Sequence, residues 1–205
     1  MKRAFDLMAA LIALVATSPI VLAAAIAVRL GSSGPAFYSG LRVGLGGTEF
    51  QIHKLRSMRV GSALTGPAVT AGDDARVTPV GRFLRRTKID ELPQLWNVVM
   101  GEMSLVGPRP EHPDYVRYYT AEQRRLLSVR PGITGPAALE FHDEEERLKG
   151  ANPEARYLNE VMSQKLALEL RYLDSPTLFG DARILVRTVA LVVRRLLPGS
   201  RRAAR

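Results

Sequence analysis

The longest uncharged stretch of the chain runs from Leu7 to Val28, LMAALIALVATSPIVLAAAIAV, with Lys2 and Arg3 before it and Arg29 after it. At about 1.5 Å of rise per residue, a helix of that length reaches across a hydrocarbon core of roughly 30 Å. The run is too long for the apolar part of a cleaved signal peptide, about 7–15 residues. Ser18 and Pro19 divide it. Proline lacks a backbone donor and crowds the preceding turn, so the pattern predicts a kink or a break there. Two arrangements stay open on these residues: a kinked span, or a re-entrant helix–break–helix that enters and leaves by one face. Basic residues at both ends suit the second.

Beyond residue 30 the periodicity changes, which divides the chain into an anchor (1–30) and a globular part (31–205). Gly31-Ser32-Ser33-Gly34-Pro35 interrupts it first. Ala36–Val43 and Glu49–Leu55 alternate as the strands of a β-hairpin turning at Gly44-Leu45-Gly46-Gly47. Those glycines match neither phosphate-loop spacing, so they read as turn residues. Residues 61–74 are small and polar, a surface loop. Helical periodicity covers Val80–Thr87, Leu92–Val99, Thr120–Val129, Glu144–Gly150, Glu154–Leu173 and Asp181–Leu197. In the last, Arg183, Arg187, Arg194 and Arg195 interrupt apolar residues. That basic amphipathic pattern suits a lipid headgroup boundary, and an ordinary core-facing helix is the competing reading. A basic tail with Arg201, Arg202 and Arg205 follows. One hairpin among many helices predicts a mainly α, α+β fold and excludes a doubly wound nucleotide fold.

Composition narrows the chemistry. The 205 residues contain no cysteine, which removes disulfides, thiolate nucleophiles and cysteine-ligated metals. His53, His112 and His142 are scattered, without metalloprotease spacing. A formal charge of +9 calls for a polyanionic neighbour: nucleic acid, anionic lipid or a phosphorylated substrate. Nucleic acid is disfavoured, because aromatics are only 6% and no base-stacking or groove-reading motif occurs.

The densest polar chemistry lies between Arg82 and Glu111. Arg82, Arg85, Arg86 and Lys88 precede the adjacent carboxylates Asp90 and Glu91, with Pro93 opening the next helix. Two acids at a helix start can simply complement its dipole, with the cations as a solvated face. Taken together, the segment also fits phosphoryl transfer, in which one carboxylate attacks phosphorus and the other orients it or exchanges protons. Attack on an anionic diphosphate needs neutralising cations, and Mg²⁺ held by one or two carboxylates plus phosphates would add to them. Pro108-Arg109-Pro110 and Arg130-Pro131-Gly132-Ile133-Thr134-Gly135 are stiff loops that can clamp an anion or a nucleobase.

These pieces resemble the bacterial initiating sugar transferases, the small monotopic phosphoglycosyl transferases. The match comprises Lys2-Arg3 with Ser18-Pro19, Lys54-Leu55-Arg56-Ser57-Met58, the run from Gly81 to Val98, Met103 to Glu111, and Val129 to Gly135. The resemblance implies transfer of a sugar-1-phosphate from a UDP-sugar to undecaprenyl phosphate, with release of UMP, as a first membrane step of glycoconjugate or polysaccharide assembly. It makes Asp90 the nucleophile that carries a covalent phosphosugar. Glu91 would assist as a base or by orienting Asp90, and both would hold Mg²⁺. It implies substrate binding by Lys54, Arg56, Arg82, Arg85, Arg86, Lys88, Pro108, Arg109, Pro110, Arg130 and Thr134. It also favours the re-entrant anchor, with the globular part on the cytoplasmic face of the bacterial inner membrane. The segment from Pro136 to Arg147 departs from the pattern of many members, so no phosphate-binding role is carried onto Arg147. Pairing with a second copy is left open, and so is the sugar. The competing class is a non-catalytic membrane-surface adaptor that binds anionic lipid.

Overall fold

The computed structural model describes residues 2–62 and 66–196. Leu197 and the basic tail through Arg205 lie outside the described residues. The first element, α1, is one 30-residue helix, Lys2–Gly31, long and apolar enough to cross a membrane. Its helical backbone continues through Pro19, so the anchor is not two helices separated by a break at Ser18-Pro19. Local chemistry explains the continuity. Proline leaves the carbonyl four residues earlier without a donor, and Ser18 Oγ donates to that carbonyl, Val15 O, at 2.8 Å.

Both ends of α1 pack on the rest of the chain. Ala10 is fully buried among Phe50, Ile52, Leu95, Val98 and Met103, while Ala24, Ala25 and Val28 pack on Leu55 and Leu84. Alanines at these points let the helix approach closely. Polar ties fix the first end: Lys2 Nζ lies 2.5 Å from Asp181 Oδ2, and Arg3 donates to Val98 O and Val99 O. Buried Asp6 accepts from Ser104 Oγ at 2.8 Å. At the other end, Arg56 donates to the carbonyls of Ser32 and Ser33. The middle of the helix, including Val15 and Ile20, is exposed.

The hairpin forms as the alternation predicts. Strands β1 (Phe37–Val43) and β2 (Glu49–Leu55) pair antiparallel from Phe37↔Leu55 to Val43↔Glu49. The turn between them uses positive φ at Gly46 (68°) and Gly47 (80°), which glycine adopts without strain. Helix α2 (Pro79–Thr87) starts at Thr78, whose hydroxyl accepts from Gly81 N. Helix α3 (Gln94–Met100) follows Pro93. A two-strand parallel ladder is new: β3 (Ser104–Val106) pairs with β4 (Gly132–Thr134), a contact that the glycines at 107 and 132 make close enough.

Short helices α4 (Pro113–Val116), α5 (Pro136–Glu140), α6 (Glu144–Arg147) and α7 (Pro153–Arg156) surround the main core. The helix expected over 120–129 is a 3₁₀ segment, Gln123–Ser128. Helix α7 passes through a wide turn at Tyr157–Val161 into α8 (Met162–Asp174). Residues 66–74 are not a free surface loop. Val69 and Ala71 are buried in the main core, and Gly72 N donates to Glu145 O at 2.6 Å. Arg76 ties the segment by hydrogen bonds to Pro67 O and Ser62 O.

The last helix, α9 (Leu178–Leu196), buries only Asp181 fully. Ile184, Leu185 and Thr188 face the domain, while Val186, Val189, Val193 and Leu196 are exposed. One face of α9 thus packs on the domain through Ile184 and Leu185, while the opposite face leaves Val186, Val189 and Val193 exposed.

Candidate active site

The acidic pair is placed by a backbone reversal. Helix α2 ends at Lys88, which adopts the left-handed conformation (φ 59°), the one positive φ at a non-glycine among the described residues. A 3₁₀ turn, Ile89–Glu91, follows immediately and turns both acids inward. Asp90 is 4% exposed and Glu91 9%. Solvated carboxylates that merely complement a helix start would not be buried in this way.

Glu91 Oε1 accepts from Lys54 Nζ at 2.9 Å and from Arg109 Nη2 at 2.7 Å. Burial alone would raise its pKa, but Arg109, Lys54 and Lys88 overcome that and hold it well below the usual carboxylate range. In return, the charge of Glu91 raises Arg109. Lys54 is lowered by burial, which Glu91 only partly offsets.

Asp90 has the opposite balance. Its Oδ1 is buried without a hydrogen-bond partner. Burial raises its pKa first and the neighbouring charge of Glu91 adds to it, against the pull of Lys54, Lys88 and Arg85. Two adjacent carboxyl groups are thus pushed apart: one firmly ionised and clamped, the other more basic and unpartnered. Divergent pKa values in a cleft are a mark of functional chemistry.

The pair lines a broad open groove. Lys54, Arg82, Arg85, Arg86, Lys88, Arg109, Pro110 and Thr134 also line it, and so do Ala9, Ala13 and Thr17 of α1 and Leu185, Thr188 and Val189 of α9. One groove therefore joins the cationic loops to the two most apolar helices. Arg85 pairs with Glu145 at 2.6 Å, Arg86 lies 5.8 Å from the Phe83 ring centroid, and Arg82 is exposed. Thr134 Oγ1 is 2.7 Å from Thr188 Oγ1, tying β4 to α9. Arg56 reaches the groove wall, yet its guanidinium is engaged with the carbonyls after α1. Pro108 faces a small internal cavity behind Arg109.

Arg130 is not brought to the groove. Its Nε donates to Gly101 O at 2.8 Å, beside the carbonyls that Arg3 takes at the end of α3. A helix C-terminus attracts such cations through its free carbonyls.

Sequence reasoning missed several groove-lining or adjacent groups. Glu111 accepts from Tyr157 OH, Lys165 Nζ donates to that hydroxyl at 3.3 Å, and Lys165 pairs with Glu144 at 2.6 Å. Arg42 on β1 lines the groove. Glu169 is buried behind Arg109. Only Glu111 had a signal, its place directly after the Pro-Arg-Pro loop. The others sit singly in ordinary periodic segments.

No group of three or more His, Cys, Asp or Glu is placed to hold a metal among the described residues. The donor set present is Asp90 with its unpartnered oxygen beside Glu91. That fits Mg²⁺ bound by one or two carboxylates plus substrate phosphates, and does not fit an all-protein cage.

Residues 1–195 match the family described as bacterial sugar transferase. The chain is 42% identical over 194 residues to a UDP-glucose:undecaprenyl-phosphate glucose-1-phosphate transferase of Caulobacter vibrioides, covering 92% of this chain and 68% of that protein. It is 39% identical to the uncharacterized sugar transferase EpsL of Bacillus subtilis, over 94% of this chain and 87% of that one. A UDP-glucose:undecaprenyl-phosphate glucose-1-phosphate transferase of Xanthomonas campestris is 38% identical over 94% of this chain, which spans 38% of that longer protein. The chain belongs to the bacterial sugar transferases and is a sugar-phosphate transferase. The non-catalytic adaptor reading falls with that result.

Proposed function

We propose that this enzyme transfers a sugar-1-phosphate from a UDP-sugar to undecaprenyl phosphate through a covalent intermediate on Asp90, at the cytoplasmic face of the inner membrane. The observation that carries the reading is Asp90 itself: a buried, unpartnered, comparatively basic carboxylate oxygen in a groove shared by cationic loops and apolar helices. The relatives' names supply the substrate classes.

In the first step an Asp90 oxygen attacks the sugar-linked phosphorus of the donor. The bond from that phosphorus to the bridging oxygen breaks, and UMP leaves with the electron pair. In the second step a phosphate oxygen of the lipid attacks the same phosphorus. The Asp90–phosphorus bond breaks and the carboxylate returns, leaving a lipid-linked diphosphosugar.

Lys54, Lys88 and Arg85 stand close enough to shift Asp90 electrostatically, and Arg109 holds the adjacent Glu91. They would neutralise the phosphates. Bound Mg²⁺, held by Asp90 and Glu91, would supply further neutralisation of the diphosphate. Glu91 is a poor base at neutral pH, because two cations keep it ionised. Its role is to orient Lys54 and Arg109 around the nucleophile.

A re-entrant course of the anchor, as one continuous helix bent at Pro19 rather than two helices with a break, is part of this reading. A polar domain cannot enter the hydrocarbon, and both ends of α1 pack on it. That supports both ends of the helix, Lys2 and Gly31, lying on one side of the bilayer, with the exposed middle dipping into lipid. Helix α9 would lie at the headgroups, its exposed valines toward the acyl chains and Arg183, Arg187 and Arg194 along its polar edge.

The test is a trapped adduct. Donor supplied without lipid phosphate should leave a phosphosugar on Asp90, detectable by mass spectrometry, with one equivalent of UMP released. Asp90→Asn should abolish both while the protein stays folded. Wild-type turnover in Asp90→Ala would end the proposal. UMP release across a panel of UDP-sugars would identify the donor.

A further inference from the structure

Arg42 has no role in the steps above, and its surroundings are unusual for a half-buried arginine. It sits on β1 opposite Phe50, on the same face of the hairpin as Ile52 and Lys54. That face points into the domain, and Arg42 lines the groove together with Lys54, Glu91 and Arg109.

The guanidinium has five N–H donors. Nη1 donates to Leu41 O at 2.6 Å, and no carboxylate lies within ion-pair distance of Arg42 among the described residues. The nearest acid in electrostatic terms is Glu111, whose carboxylate already accepts from Tyr157 OH and from His112 N. Glu91, the next carboxylate of the groove, serves Lys54 and Arg109. Of the three cations Arg42, Lys54 and Arg109, the last two share Glu91, and Arg42 has no ion pair among the described residues.

Partly removing a charge from water without an ion-pair partner is costly, and desolvation lowers the pKa of Arg42, with Arg109 adding to the effect. An arginine kept in that state inside a phosphate-transferring groove awaits an anion. Its planar fork matches phosphate oxygens.

We propose that Arg42 is a substrate-binding residue whose guanidinium takes a phosphate oxygen of one of the two phosphate-bearing substrates, completing a cradle with Lys54 and Arg109. The inference rests on the function proposed above. The phosphate comes either from the nucleotide donor or from the polyprenyl lipid, and the experiment separates the two.

Full-length protein carrying Asp90→Asn, held in lipid nanodiscs, binds without reacting. UMP affinity is measured by calorimetry and polyprenyl phosphate affinity by competition, each with and without Arg42→Gln or Arg42→Lys. Arg42→Gln is expected to weaken one ligand at least 10-fold, with Arg42→Lys recovering part of the loss. Loss confined to UMP assigns the donor phosphate, and loss confined to the lipid assigns the acceptor. The melting temperature should hold or rise in Arg42→Gln, since an unpaired, partly desolvated charge is removed; a merely structural arginine would lower it. If the parent binds both ligands and Arg42→Gln binds them as tightly, the Arg42 assignment is overturned and the proposed function stands. If the parent binds neither ligand, both fall.

Discussion

Arg109 Nη2 lies 2.7 Å from Glu91 Oε1, so the Pro108–Pro110 loop is joined directly to the turn that carries Asp90. Glu91 is buried, the Arg109 side chain is about a third exposed, and Lys54 shares the same oxygen. Removing one member of such a cluster strands the others, a loss of about 3–5 kcal/mol for a fully buried pair, and about 1–3 kcal/mol where one partner is partly solvated. Glu91→Gln should therefore lower unfolding stability by an amount of the latter order. It should also cut turnover roughly 10²-fold or more, because Lys54 and Arg109 lose their fixed positions. Chemical unfolding and UMP release measure the two effects; an unchanged turnover would place the clamp outside the chemistry.

The start of α2 depends on a missing side chain. A Cβ at Gly81 would stand 1.9 Å from Ser57 O, a backbone atom that also accepts from Thr78 N at 3.0 Å. The carbonyl cannot retreat without losing its hydrogen bond from the backbone N–H of the capping residue Thr78. Gly81→Ala should destabilise the protein by about 2 kcal/mol or more, even though alanine is the better helix former by roughly 1 kcal/mol. Because α2 aims Arg85 and Lys88 at Asp90, turnover should fall with it. A melting temperature equal to the parent's would contradict this.

Several of these features were legible in the chain. The hairpin declared itself through alternation and α2 through its helical periodicity over Val80–Thr87, and Asp90-Glu91 stood out by the cations before them. Other features have no one-dimensional signal. Strands β3 and β4 are three residues each and mostly buried, too short to alternate. Arg130 looks like any loop arginine until α3 ends beside it. Pro19 predicts a kink or a break, and only the reach of the Ser18 hydroxyl to Val15 O shows why the helix continues. Val69 and Ala71 sit in a polar stretch, and their burial depends on α6 and the main core being there to receive them. Local rules found what adjacent residues decide, and missed what distant ones supply.

The topology of α1 is open to a direct test. Lys2→Cys and Ser33→Cys lie at the two ends of the anchor. If both arms stay on the domain's side, an impermeant thiol reagent added to intact cells should label neither, and in inside-out vesicles it should label both. Labelling of Lys2→Cys alone in intact cells would mean a span. Since the chain has no cysteine of its own, background is absent.

Glu169 makes the last prediction. This α8 residue is 2% exposed, and its two oxygens face the backbone N–H groups of Arg109 and Ala137 without a hydrogen bond of good geometry. Burial raises its pKa from 4.5 to about 7, against the pull of those amides, Lys165 and Arg109. Because the folded protein binds this proton more tightly than the unfolded chain, the neutral acid's contribution is complete below about pH 4.5 and is lost as pH rises through about 7. The loss amounts to roughly 3 kcal/mol, taking about 1.4 kcal/mol per pH unit between the two values. Glu169→Gln stays neutral at every pH. Its unfolding free energy should match the parent's at pH 4.5 and exceed it at pH 8 by an amount of that order, in the same detergent. Destabilisation of the variant at pH 8 that is small or absent at pH 4.5 would show instead that an ionised Glu169 is needed to hold the Arg109 loop.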